Sequence, residues 1–435
     1  MAPIEATAPE RSQRPTARLR VAYVYRHFAR SGSIASLYVR TAERLTRDVD
    51  VTAVCATGDR AQTDTPVRFV DVEPVVTGTR RISFAIECHT FARRATRAVQ
   101  REPARYDVVH SEGFACLWAD VVTAHAVRQA EVEHYFRHVE PRAGIRGRLS
   151  PALLRPQVRV VVDIEKQLFA PLAPLVICPS QRVKGDLERW HGVPGELVDV
   201  IPYGIDVAGF GHDAGVRASI REREGVADDT VVVLAVADEF ERKGIARLID
   251  ALGRCASSPE LWVIGGDDPS RYRARAASAG VADRVRFLGR RPFEELAGWY
   301  AACDVMAVVS RQDSWAIPVL EGMAAGRTVL ASEFAGSNEA IVSGNTGFVV
   351  RGEGDSREIA ALLDGPLADP TLRRTVGARA AAEARRYDVG VAHAALLDVY
   401  ARAAQRRRER PVPRLDERRI TRITRLKTSR PERAK

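Results

Sequence analysis

Thr230–Gly244 reads TVVVLAVADEFERKG. Its first seven residues are β-branched or aliphatic with no polar alternation, the mark of a strand covered on both faces, as in a parallel sheet. A polar loop carrying Arg242 and Lys243 follows, then Gly244 and a helical stretch over Ala246–Arg254. One strand–loop–helix unit of this kind needs neighbours, and the rest of the chain supplies them. Downstream, strands are expected at Leu261–Ile264, Val285–Leu288, Val305–Val309, Thr328–Ala331 and Gly347–Val350, with helices at Tyr272–Ala279, Glu294–Ala302 and Pro318–Ala325. Upstream, an earlier series runs Leu19–Tyr25, Val49–Val54, Tyr106–His110, Ala119–Thr123, Leu175–Cys178 and Leu197–Ile201. The Pro- and Gly-bearing turn IPYGID, Ile201–Asp206, separates the two series. The expectation is an α/β chain of two doubly wound domains facing a cleft, with ligands at the carboxyl ends of the strands. Arg357–Arg408 is rich in Ala and Arg and helical by composition, and Pro411 and Pro413 end it.

Charge narrows the function classes. The 435 residues carry a formal net charge of +10. Residues 406–435 hold 13 Lys or Arg against four acidic residues, and residues 1–20 hold four against two, so the body of the chain is close to neutral. The excess is a C-terminal run rather than a basic groove, which argues against nucleic acid as partner. Ile420, Ile423 and Leu426 alternate there with arginines, a short basic amphipathic pattern suited to peripheral contact with an anionic membrane surface. No apolar stretch approaches the length of a membrane span, and Met1–Arg20 lacks the apolar run of a signal peptide. The six cysteines are widely spaced with no CxxC pair, which favours reduced thiols in a cytoplasmic protein over disulfides or zinc.

Chemistry concentrates in a few places. Asp313–Gly326, DSWAIPVLEGMAAG, sets two carboxylates eight residues apart. Pro318 suits a helix start, which would put Glu321 in the first turn, where its carboxylate can accept two hydrogen bonds from a vicinal diol. Arg242 and Lys243 sit where a diphosphate would arrive after a strand; one offers a fork, the other a point charge. Gly265 ends the next strand and permits close backbone approach. Ser31-Gly32-Ser33 is a small-residue loop before a helix, fit for an anion or an acceptor. His125 and His110 each end a strand. Asp48-Val49-Asp50 spells a DxD pattern used by metal-dependent sugar transferases, but no further ligands stand nearby. Neither a GxSxG elbow nor a Walker loop is present, so hydrolase and P-loop readings lose their support.

Taken in order, LVICPS (175–180), IPYGID (201–206), ERKG (241–244), VIGG (263–266), RVRFLG (284–289), EGMAAG (321–326), GSNEAI (336–341) and NTGFVV (345–350) resemble the landmarks of glycosyltransferase family 4, of GT-B fold. The ADEFERKG form and the stretch EKQLFAPLAPLVICPSQRVKGDL are most similar to the lipopolysaccharide-core glucosyltransferase branch. The resemblance implies two Rossmann-like domains: 19–203 for the acceptor and 204–385 for the nucleotide sugar. A helix over 386–408 would pack back on the first domain, between a disordered leader (1–18) and a basic tail (409–435). It implies a retaining, metal-independent hexosyltransferase without cofactor, taking its sugar from a nucleotide diphosphate, UDP by default. Small-molecule, glycan and lipid-linked acceptors all fit, and so does a non-catalytic, sugar-nucleotide-binding relative. By position, Lys243 matches the lysine on the donor diphosphate and Arg242 adds a second cation. Asp313 stands where the family's first glutamate contacts the donor sugar, so the motif is D-x7-E. Glu321 matches the glutamate that holds the ribose, and His125 a histidine near the donor sugar. Gly32, Gly265 and Glu339 complete the expected donor site. The family's usual Arg six residues before the lysine is Ala237 here.

Overall fold

The computed structural model describes residues 18–29, 33–56, 63–73, 83–134, 162, 165–166, 168–169, 173–211, 214–352 and 354–409. Most of the leader, the loop holding Gly32 and the basic tail from residue 410 onward therefore lie outside the described residues. By its internal contacts the chain divides into two units, one of residues 1–120 with 403–415, the other of 121–402 with 416–435.

Two parallel sheets organise the chain. The first takes β1 (Arg20–Val24), β2 (Asp50–Ala56), β3 (Arg68–Val72), β4 (Val108–Glu112), β5 (Val121–Thr123), β6 (Leu175–Cys178) and β7 (Val198–Val200), in the order β3-β2-β1-β4-β5-β6-β7. Helices α1 (Ser33–Leu45) and α2 (Ser83–Arg101) follow β1 and β3, and α3 (Arg128–His134) and α4 (Gln181–His191) follow β5 and β6. The second sheet takes β8 (Val232–Val236), β9 (Glu260–Ile264), β10 (Val285–Gly289), β11 (Val305–Val308), β12 (Thr328–Ser332) and β13 (Phe348–Val350), in the order β10-β9-β8-β11-β12-β13. Its helices are α5 (Ala214–Arg223), α6 (Ile245–Leu252), α7 (Ser270–Ser278), α8 (Phe293–Ala302), α9 (Ile317–Ala324), α10 (Ser356–Asp364), α11 (Pro370–Ala384) and α12 (Val389–Glu409). In each sheet the strand order reverses once, between β1 and β4 and between β8 and β11. Such a reversal leaves a crevice beyond the carboxyl ends, where ligands of open α/β sheets bind.

The apolar run that opens the second series is buried on both faces, as a parallel strand requires. Val232 and Leu234 pack into one core with Trp262, Trp299 and Leu320, while Val233 and Ala235 pack into the other with Ile249, Leu261 and Leu330. Each of the valine, leucine and isoleucine side chains contributes roughly 1.5–3 kcal/mol by leaving water. Helix α6 buries Ile245, Leu248, Ile249 and Leu252, the i, i+3, i+4, i+7 stripe of a helix facing a sheet. Helix α4 starts at Ser180, whose Oγ accepts from Val183 N, and ends at Gly192 in the left-handed region with φ +62°. Capping of this kind is worth about 1 kcal/mol.

The expected series is present, with three differences. β3 was not anticipated; its residues RFVDV are largely half-exposed because it is an edge strand, which need not be apolar. Helices α2, α3, α4 and α5 were likewise not anticipated by residue range. The Ala- and Arg-rich stretch is broken by Gly365 and by Asp388 into α10, α11 and α12, and Asp355 and Asp369 cap the first two through Arg357 N and Thr371 N. All six cysteines are free. Among the described residues, no helix is long and apolar enough to cross a membrane.

Candidate active site

The loop after β8 is held by backbone contacts that only small residues permit. Ala237, buried, donates its N–H to Ile264 O at 2.8 Å. A Cβ on Gly265 would stand 1.8 Å from Ala237 O, so the two strand ends approach too closely for any side chain. Gly244 has φ +77°, and its Cβ would lie 2.1 Å from Val309 O at the end of β11. The loop after β11 is tied back in turn, since Arg311 N donates to Arg242 O at 2.8 Å. The two loops that flank the β8/β11 reversal are thus fixed against each other before any side chain acts.

Between them lies a charged cluster. Lys243 Nζ pairs with Asp313 Oδ2. Arg242 Nη1 stands 3.5 Å from the same oxygen and donates to Gln312 O at 3.0 Å. Glu239 takes the other side of the guanidinium, at 2.9 and 2.6 Å. Asp313 is held at both ends of its peptide, donating to Phe334 O and accepting from Gly336 N. Burial pushes its carboxyl up, but Lys243 and Arg242 outweigh burial and hold it below the usual carboxylate range. For Arg242, burial works against the charge, and Asp313 and Glu239 more than restore it. The Lys243 and Asp313 side chains are 15% and 11% exposed, whereas Arg242 is 40% exposed, so the cluster has one accessible cation beside a recessed ion pair. Two cations at strand ends, with a carboxylate between them, can receive a diphosphate while presenting an acceptor to a hydroxyl.

Glu321 lies deeper. Helix α9 begins at Ile317, with Pro318 second, so Glu321 is its fifth residue and not in the first turn as expected. It is 5% exposed, and its Oε2 accepts from the Tyr300 hydroxyl of α8 at 2.6 Å. Burial, and then the charge of Glu321, raise the Tyr300 phenol well above its ordinary range, so Tyr300 acts as a donor. No spacing rule marked Tyr300, because the contact joins two helices. Glu239 also went unmarked, although its i, i+3 spacing to Arg242 was a usable signal.

The other expected residues fall in different surroundings. His125 follows β5, and its Nδ1 shares a short hydrogen bond with the Tyr203 hydroxyl. Glu339 accepts from Gln181 N at 2.9 Å and Arg182 N at 3.0 Å, so its carboxylate caps the start of α4. Helix α3 adds two groups near the cations. His134 Nε2 lies 2.7 Å from Arg311 O, and Glu131, pushed up chiefly by burial, feels the charges of Arg128, Arg242 and Asp313. Asp50 of the DxD pattern opens β2 and stands 3.6 Å from Arg18. Among the described residues, no group of three or more His, Cys, Asp or Glu is placed to share a metal ion.

His110 belongs to a second cluster, at the β1/β4 reversal. Its ring meets Tyr23 edge-on at 5.2 Å, and its Nε2 is 3.7 Å from Glu112 Oε1. The Tyr23 hydroxyl donates to that oxygen at 2.5 Å. Tyr25 is pushed up to about 12 by burial and then by the charge of Glu112.

The family model "Glycosyltransferase Family 4" matches residues 34–208, and "Glycosyl transferases group 1" matches residues 216–383. A D-inositol 3-phosphate glycosyltransferase of Xylanimonas cellulosilytica is 33% identical over 321 residues, 71% of this chain and 74% of that one. Its counterpart from Streptomyces bingchenggensis is 30% identical over 316 residues, 69% of this chain and 68% of that one. Among solved structures, WaaG, a glycosyltransferase involved in lipopolysaccharide biosynthesis, aligns with TM-score 0.70 and 21% identity over 88% of this chain and 99% of that one. The Anabaena protein HepE, solved with UDP and glucose, aligns with TM-score 0.66 and 19% identity over 88% and 100%. At these identities the structural likeness is one of fold. The chain belongs to glycosyltransferase family 4, the group 1 glycosyltransferases of GT-B fold, and is a hexosyltransferase that takes its sugar from a nucleotide-sugar donor.

Proposed function

We propose that the chain transfers a hexose with retention of configuration from a UDP-sugar to a hydroxyl of a phosphorylated polyol or a related envelope glycan precursor. The observation that carries the reading is the Lys243–Asp313 pair with Arg242 beside it, where the strand order reverses between β8 and β11. In this reading the donor diphosphate draws Lys243 and Arg242 onto its oxygens. Asp313 turns to a donor-sugar hydroxyl, and Glu321 takes the ribose diol. His125 serves the sugar, and Gly265 and Glu339 border the donor. The leaving diphosphate accepts the acceptor proton while the two cations stabilise its growing charge. UDP-glucose is the first donor to try, since HepE was solved with it. D-inositol 3-phosphate is the first acceptor to try, from the names of the relatives. The motif likeness to the lipopolysaccharide-core branch makes a lipid-linked sugar the second, and the basic tail would then bring the enzyme to the inner face of the membrane.

The test is transfer by the purified chain from UDP-, GDP- and ADP-hexoses to each acceptor, with product stereochemistry read by NMR. An α-linked product from an α-linked donor is expected. A β-linked product overturns retention, and transfer from GDP- or ADP-hexose alone overturns the choice of UDP. Activity on lipid-linked sugars alone would move the acceptor to the lipopolysaccharide branch.

A further inference from the structure

We infer that Tyr300 is a positioning residue for nucleotide binding: its hydroxyl fixes the Glu321 carboxylate for the donor ribose. The inference rests on the ribose role of Glu321 proposed above and adds the group that aims it. A carboxylate has about four lone-pair sites and rotates about its terminal torsion, so a carboxylate on a helix has no fixed plane of its own. Tyr300 supplies one. Its ring is fully buried on α8, packed edge-on against Phe210 at 5.5 Å, and its hydroxyl meets Glu321 Oε2 at 2.6 Å. The phenol cannot swing away without opening the core between α8 and α9. It cannot compete as a second anion either, because burial and the carboxylate keep it protonated.

The phenol occupies one of about four lone-pair sites of the Glu321 carboxylate, and a diol needs two of the others. A vicinal diol needs two acceptor directions in a definite plane, and a preset plane saves the cost of ordering the side chain on binding. Tyr300 is therefore expected to act on affinity for the ribose and not on the chemical step, in which the bond from the anomeric carbon to the diphosphate oxygen breaks and one to the acceptor oxygen forms.

The experiment compares wild type, Tyr300→Phe and Glu321→Ala for binding of UDP and of 2′,3′-dideoxy-UDP by calorimetry. Melting temperature and the KM and kcat for UDP-glucose are read alongside. Phenylalanine keeps the ring and its packing and removes only the hydroxyl. Tyr300→Phe should weaken UDP about tenfold and raise KM in step, leave kcat within about twofold, and leave dideoxy-UDP unchanged. A lower melting temperature with unchanged UDP affinity would make the contact merely structural and overturn the inference. Equal weakening of UDP and dideoxy-UDP would overturn it too, since the effect would not pass through the diol. If Glu321→Ala leaves UDP affinity unchanged, the ribose reading itself fails. If Glu321→Ala weakens UDP and Tyr300→Phe does not, only the positioning role fails.

Discussion

The two sheets reverse their strand order at equivalent places, β1/β4 and β8/β11, yet the residues at those places do opposite things. At β8/β11, Lys243 and Arg242 meet Asp313 in a partly exposed ionic cluster held by backbone contacts. At β1/β4, Tyr23, His110 and Glu112 are all buried and joined by a phenol–carboxylate hydrogen bond and an edge-on ring contact. The same topology thus supports a partly exposed ion-pair cluster in one place and, in the other, a buried carboxylate held by a buried phenol. The difference lies in who partners the carboxylate. A lysine can leave for a phosphate, whereas a tyrosine rooted in a strand cannot.

Lys243→Ala should break the first arrangement most severely. Turnover should fall by about 10²–10³-fold, the scale of removing one group that stabilises leaving-group charge, while circular dichroism stays native. Wild-type kcat would remove Lys243 from the chemistry. Glu112→Leu should do the reverse. It leaves the Tyr23 hydroxyl buried without its acceptor, so stability should fall by about 2 kcal/mol in urea unfolding, with UDP affinity unchanged. Lost UDP affinity without lost stability would erase the contrast between the two places. Asp313→Asn should give the smallest thermodynamic change and the clearest pH signature. The folded-state carboxyl lies below its ordinary range. Its stabilising contribution is therefore full above the unfolded value near pH 4, and is lost as pH falls through the lower folded value. In the Asn variant, that part of the acid dependence of stability should be absent. Identical acid titrations of wild type and variant would mean that the Lys243 pair contributes no linkage.

Much of this was legible beforehand for a physical reason. Parallel strands buried on both faces must be apolar throughout, so TVVVLAV announces itself. The edge strand β3 carries no such requirement and stayed hidden. Arg242, Lys243 and Asp313 were brought to one site by the resemblance to family 4 alone; the fold supplies the reason, since β8 and β11 are neighbours and the loops after them converge. The partner of Glu321 could not be placed, because Tyr300 reaches it across two helices and nothing in local sequence encodes that meeting. Glu339 shows the same limit. Nothing in its sequence neighbourhood shows that both carboxylate oxygens receive backbone N–H groups of α4, a helix far away in the chain.

Gly244 and Gly265 have a bearing on how this enzyme can evolve. At each, the missing side chain is replaced by a carbonyl oxygen of a neighbouring strand end, 2.1 Å and 1.8 Å from where a Cβ would sit. Every single-nucleotide change of a glycine codon that alters the residue either adds a Cβ or stops the chain. Neither position therefore offers a first mutational step, and the floor beneath the cations is closed to gradual variation. On the proposed reading, changes in sugar preference have to enter from the walls, beginning at Asp313, the residue assigned there to the donor sugar.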